Sequence, residues 1–181
     1  MIRCGMLNIF MKNNINRQTR NIIHQADDFA EAYRRCMEGK NQRKENDCLC
    51  FSVVSIPAIV NASLACELYM KSLLETIPQE HNLRQLFNLL SEGNKRIIKE
   101  YVNDKFNTHP IFSFDFCIER AADVFVKWRY IYEEEHTEGL YGSYINEFLM
   151  FFEYLICILQ KMTHEVYCKN YLSSGTLPKM T

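Results

Sequence analysis

An all-α fold, an up-and-down helical bundle of four to six helices, is predicted by three features of this sequence. Glycine and proline are scarce, at 6 and 4 in 181 residues, too few for the turns of a β-sandwich. Apolar residues recur at helical spacing through several long segments. No segment alternates apolar and polar residues far enough to read as a strand. With 48% apolar residues, one domain of this length can bury a core without staples.

Residues 1–16 are polar and irregular and read as a flexible N-terminal segment. The first helix is expected from Arg17 to Met37. Ile22, Ala26, Phe29, Tyr33 and Cys36 form its apolar stripe, with His24, Asp28, Glu31 and Arg35 opposite. The connection from Glu38 to Asp47 is charged and is expected to be mobile. A second helix, Ser55 to Ile77, opens with Ser55 as N-cap and Pro57 in the first turn, where proline is tolerated. Apolar side chains cover most of its circumference, which predicts a central place. Glu67, Lys71 and Glu75 draw a narrow charged line along it, and Pro78 is expected to end it.

Short helices at Asn82–Leu90 and Lys95–Phe106 are separated by Ser91-Glu92-Gly93. Ser113 caps a long helix from Phe114 to at least Tyr132, with Cys117, Ile118, Ala121, Val124, Phe125, Trp128 and Tyr132 inward. Gly139 and Gly142 mark a turn, and Ser143 opens the last helix, to about Tyr171. That helix is apolar nearly all round except for a thin line through Asn146, Glu153, Gln160 and His164. Residues 172–181 read as a flexible tail, leaving residues 17–171 as the domain.

The formal charge of −1 excludes a general electrostatic attraction to nucleic acid, so any RNA contact has to be a local patch. Eight cysteines suggest a disulfide framework only in a secreted chain. The N-terminus carries no apolar core long enough for a signal peptide. Cys66, Cys117 and Cys157 lie in helical apolar patterns, where a free thiol acts as a small hydrophobe. Cys48 and Cys50 are not at a zinc-finger spacing. These features predict a reduced, cytoplasmic protein with no structural metal. The run from Phe148 to Leu159 is interrupted by Glu153 and is too short for a bilayer, so it reads as a core helix with no membrane role. The chain has no glycine-rich phosphate loop, no His-Glu-x-x-His motif and no serine elbow. That disfavours common nucleotide-hydrolase, zinc-protease and α/β-hydrolase readings, and no cofactor is expected.

The chemistry-bearing stretch is Trp128-Arg129-Tyr130-Ile131-Tyr132-Glu133-Glu134-Glu135-His136. Arg129 and His136 are seven positions apart, so at 100° per residue they return to nearly the same helix face. Arginine offers a cationic fork for phosphate, and histidine moves protons near neutral pH. Together they suit cleavage of an RNA phosphodiester by its own 2′-hydroxyl. The plainer alternative has Arg129 at the core edge, paired with Glu133 one turn on. Glu67 and Lys71 also have two readings. One is an i,i+4 ion pair completed by Glu75. In the other, Glu67 reaches across the bundle to orient Arg129, with Asn61 joining the polar cluster. His81, just before a helix, reads as a terminal polar contact, while His24, His109 and His164 lack suggestive company.

Three blocks, Asn61 to Leu74, His81 to Phe87 and Phe125 to Glu133, stand in the order found in the HEPN superfamily, and the chain resembles it over about residues 17–171. The resemblance implies a helical bundle that dimerises. It also implies a metal-independent endoribonuclease of a toxin–antitoxin or phage-defence system, with Arg129 and His136 as the catalytic pair. Asn61, Glu67, Lys71 and Glu133 would be the supporting polar cluster. Other members of the superfamily are inactive modules that bind a nucleotide or a protein, such as a nucleotidyltransferase partner or an antitoxin, and that is the alternative. A homodimer is also expected from the aromatic last helix, with Phe148, Phe151, Phe152 and Tyr154 as its interface.

Overall fold

The computed structural model describes the backbone of residues 3–38, 43–45, 48–50, 55–106, 112–122, 124 and 145–173. Side chains are described over residues 17–38, 56–106, 112–122, 124 and 146–169. The order is α1 (Arg3–Glu38), β1 (Arg43–Glu45), β2 (Cys48–Cys50), α2 (Ser55–Ser72), α3 (Leu83–Leu89), α4 (Glu92–Lys105), α5 (Phe114–Ala121) and α6 (Ile145–Ser173). The fold is an all-α bundle. Its one non-helical pairing among the described residues is a hairpin in which Arg43 faces Cys50 and Glu45 faces Cys48. Strands of three residues are too short to show a period of two, and the charged connection carries no signal for them.

Helix α1 begins at Arg3 rather than Arg17, so much of the expected irregular segment is helical. Met6 and Phe10, and Leu7 and Met11, stand four apart, and the segment holds no proline to stop a helix. Its buried line is Ile23, Ala26, Ala30 and Tyr33. Ile22, Phe29 and Cys36 flank that line half-buried, while His24, Asp28, Glu31 and Arg35 are exposed as the pattern predicts.

Helix α2 packs against α1, α3 and α6 and is the central element. Ala58, Ile59, Ala62, Ala65, Cys66, Tyr69 and Met70 are fully buried. The helix ends at Ser72, before the expected Ile77. Leu73 N–H donates to the Met70 carbonyl at 3.1 Å and Leu74 N–H to Lys71 at 3.2 Å, a tightened turn that satisfies terminal carbonyls. Ser72 Oγ donates to the Tyr69 carbonyl at 2.7 Å and competes with helix continuation. Pro78 then holds the next segment away from helix.

Short connections are fixed by caps. Asn82 Oδ1 accepts from Gln85 N–H at 3.0 Å, and Ser91 Oγ accepts from Asn94 N–H at 3.3 Å. The Ser91 cap draws Glu92 and Gly93 into the first turn of α4. Ser113 Oγ accepts from Phe116 N–H, and Asn103 Oδ1 accepts from Phe114 N–H at 2.7 Å, so the end of α4 caps the start of α5. The helix expected to run on to Tyr132 is interrupted at Ala122, whose carbonyl accepts instead from Leu83 N–H at 3.0 Å. A tertiary hydrogen bond has taken that carbonyl, which no local pattern encodes. Trp128 to His136, with Gly139, Gly142 and Ser143, lies outside the described residues.

Helix α6 closes the core. Phe114 meets Phe87 with ring centroids 4.6 Å apart and Phe151 at 6.1 Å, and Phe151 meets Phe152 at 5.6 Å. Phe151 and Phe152 are 0% exposed within the single chain, which removes them from the expected interface. The Phe114 ring of α5 already covers that side of α6, backed by Phe87 of α3. Phe148 and Tyr154 are half-buried against the same core. Cys157, expected inside, is exposed on the face that carries Met150 and Glu153, three- and four-residue steps apart. Among the described residues, no helix is long and apolar enough to cross a membrane.

Candidate functional site

Two charged residues lie within the bundle on α2. Glu67 is 3% exposed and Lys71 7%, and Lys71 Nζ donates to Glu67 Oε1 at 2.8 Å. They share a face because they are four positions apart. Taking both charges out of water is costly, and the close contact offsets much of that cost.

A third group meets the same oxygen. His81 Nδ1 stands 2.9 Å from Glu67 Oε1, while its side chain keeps 57% exposure. Glu75, the residue expected to complete the pair, is exposed beyond the end of α2. His81 is held in place by its turn. Glu80 Oε1 accepts from the backbone N–H groups of His81 at 2.8 Å and Asn82 at 2.7 Å. Leu83 is then tied to Ala122. The polar contacts at the start of α3 are thus made by Glu80, Asn82 and Ala122. The ring of His81 meets Glu67.

Glu67 Oε2 is buried and has no hydrogen-bond partner among the described residues. A buried carboxylate oxygen without a donor costs on the order of 1–3 kcal/mol, more when charged. Asn61 is not brought to this cluster. Its Nδ2 donates to the Pro57 carbonyl at 2.8 Å, and six residues along a helix place it roughly 120° from Glu67. Arg129, Glu133 and His136 lie outside the described residues.

A second polar cluster joins three helices. Asp27 Oδ1 on α1 accepts from Tyr69 Oη on α2 at 2.7 Å and from Gln160 Nε2 on α6 at 2.9 Å. His164 Nε2 lies 3.1 Å from the same oxygen, and Arg34 Nη2 donates to Gln160 Oε1 at 2.8 Å. Burial pushes the Asp27 carboxyl up. The hydrogen bonds from Tyr69, Gln160 and His164, with the charge of His164, outweigh burial and hold it below the usual 3.8. Burial and the bond to Asp27 push the Tyr69 hydroxyl well up. No motif in the sequence marks this cluster. The available signal was Gln160 and His164, four apart on a mostly apolar helix. Its partners on α1 and α2 could not be matched without the packing.

The buried thiols offer little nucleophilic chemistry. Burial pushes Cys66 well up and Cys117 to about 12. Among the described residues, no group of three His, Cys, Asp or Glu side chains is placed to hold a metal ion.

Comparison with protein-family models, curated proteins and solved structures finds no match to this chain. A buried carboxylate at the site is neutralised by lysine, orients a partly exposed imidazole and keeps one oxygen for a further donor. Such a group can position a cation or a proton-transferring ring.

Proposed function

We propose that this chain is a HEPN-type, metal-independent endoribonuclease of a toxin–antitoxin or phage-defence system, cutting RNA with Arg129 and His136. One observation carries the reading. Glu67 presents a buried oxygen, Oε2, with no donor among the described residues, although Oε1 serves both Lys71 and His81. A guanidinium is the donor suited to such an oxygen, because its planar fork matches a carboxylate and is weakly hydrated. The chain route favours Arg129 for this role. Ala122 is hydrogen-bonded to Leu83, two residues past His81, and Arg129 follows Ala122 by seven residues.

In this reading Arg129 holds the non-bridging oxygens of the scissile phosphate and stabilises the charge that grows on them. His136 transfers a proton. Glu67 positions Arg129, and Lys71 keeps the buried charge balanced. Two protomers are expected to act together as a cytoplasmic homodimer.

The test is cleavage of single-stranded RNA by wild-type protein, Arg129→Ala and His136→Ala. Cleavage that leaves 2′,3′-cyclic phosphate ends, and falls in both variants while their helical signal is retained, supports the proposal. Activity indifferent to both substitutions would overturn it. Absence of cleavage, with saturable binding of a nucleotide or of a nucleotidyltransferase, would favour the inactive HEPN module.

A further inference from the structure

We infer that the contact between His164 and Asp27 is a protonation-sensitive clasp, holding the end of α6 to α1 more tightly when the imidazole is charged. It lies apart from Glu67 and does not depend on the ribonuclease reading.

The place of the contact along α6 gives it leverage. Near the start of α6, Tyr33 Oη of α1 donates to the Leu149 carbonyl at 3.0 Å. Towards the other end, Met162 and Thr163 are the last buried residues among those described. From His164 to Lys169 the side chains are exposed or half-buried, so apolar packing does little for these turns. Tyr167 makes a further contact there. His164 stands at the boundary, and its ring reaches Asp27 of α1, the oxygen that also gathers Tyr69 of α2 and Gln160 of α6.

The hydrogen positions follow from the acceptor. Burial raises the Asp27 carboxyl, but hydrogen bonds from Tyr69, Gln160 and His164 hold it below the usual 3.8, so it is ionised across the neutral range. A carboxylate oxygen only accepts, so His164 Nε2, 3.1 Å away, carries a hydrogen whether the ring is neutral or charged. In the neutral ring the lone pair is on Nδ1. A proton arriving there breaks no bond. It turns a neutral donor into a charged one, and charge-assisted hydrogen bonds are shorter and stronger. The histidine side chain is 49% exposed, which lets water deliver the proton, while Asp27 is 28% exposed and less screened than an open surface charge. The added hold is present at the acid end of about pH 5 to 8, and is lost as pH rises and the proton leaves.

Other charges around the ring carry both signs. On α1, Asp28 lies beside Asp27, and His24 and Glu31 stand one turn away on either side. Arg20 Nε donates to His24 Nε2 at 3.3 Å, Glu31 accepts from Arg35, and Arg34 donates to Gln160. On α2, Tyr69 joins the cluster, whereas Glu67 and Lys71 sit roughly 160° from it around the helix. On α6 itself, Lys161, Glu165 and Cys168 flank the ring. His24 is the other imidazole among these groups and has to be tested separately.

The experiment measures amide hydrogen exchange of the intact protein at about pH 5.5 and about pH 8, corrected for the intrinsic rate at each pH. It compares wild type with His164→Gln, His164→Lys and His24→Asn. In the wild type, amides of α6 from His164 onward should be about two- to five-fold more protected at the lower pH, as expected of a partly exposed charge pair. His164→Gln should remove the difference, because glutamine can donate to Asp27 but gains no charge. His164→Lys should give the same protection at both pH values, because its charge is constant over this range. His24→Asn should keep the wild-type difference. Equal protection of the wild type at the two pH values overturns the inference. So does a difference that survives in His164→Gln or His164→Lys, or one that disappears in His24→Asn.

Discussion

Glu67 would be a costly residue at its position in α2 without Lys71, because a carboxylate at 3% exposure has little water to answer its charge. Removing one member of a buried pair typically costs about 3–5 kcal/mol, whereas replacing both by apolar groups is often neutral or better. Lys71→Met should therefore lower stability by about that amount. Glu67→Met combined with Lys71→Met should recover most of it, and urea unfolding of the three proteins measures both. A single variant as stable as the wild type would show that the pair is not coupled. Asp27 supplies a pH dependence. Its folded carboxyl lies below 3.8, so its ionised form stabilises the bundle above that value. That contribution drains away as pH falls through the lowered folded value. Asp27→Asn should then lose less stability than wild type between about pH 5 and about pH 2, as thermal melts would record. Equal losses would rule out this role. At this scale the ion pair was legible, because four-residue spacing on a helix is a local rule. The bonds from His81 to Glu67 and from Asp27 to Gln160 were not, since they span 14 and 133 positions.

Helix boundaries follow competition between local signals and tertiary partners. Asn82, Ser91 and Ser113 cap helices through their own side chains, and two of these starts were legible within a residue or so. The start of α4 shifted because Ser91 is its N-cap, which places Gly93 inside the first turn. A methyl group built on Gly93 meets nothing within 4 Å. Gly93→Ala should thus stabilise the protein by about 0.4–1 kcal/mol, chiefly by restricting the unfolded chain. A fall in the urea midpoint would contradict that. The end of α2 and the break at Ala122 were harder to read. In the first case Ser72 and a tightened turn stop the helix ahead of Pro78. In the second, the decisive partner is Leu83, which is 39 residues earlier in the chain. Helix α1 starts before Arg17 because apolar residues four apart outweigh a polar average.

Across the bundle, Phe148, Phe151, Phe152 and Tyr154 of α6 face the chain's own core. Phe152 is 0% exposed, meeting Phe148 edge-on and Phe151 at a tilt. Phe152→Glu should accordingly abolish cooperative unfolding or lower stability by at least about 3–5 kcal/mol, the range for losing a buried phenylalanine. Circular dichroism through a thermal melt checks this. A stable, folded variant that merely changed its sedimentation would restore Phe152 to an interface. The all-α class and the central place of α2 were set by composition and periodicity. Those properties depend only on which residue types recur every three to four positions, which is information local to the chain. So were the paired charges at Glu67 and Lys71. Folding added the meeting of residues far apart in sequence: a histidine from a turn brought to a buried carboxylate, an aspartate of one helix clasped by side chains of two others, and aromatic rings turned inward. Distance along the chain carries no record of such meetings, because they arise when separate helices pack their faces together and leave each buried polar group to find whatever partner stands opposite.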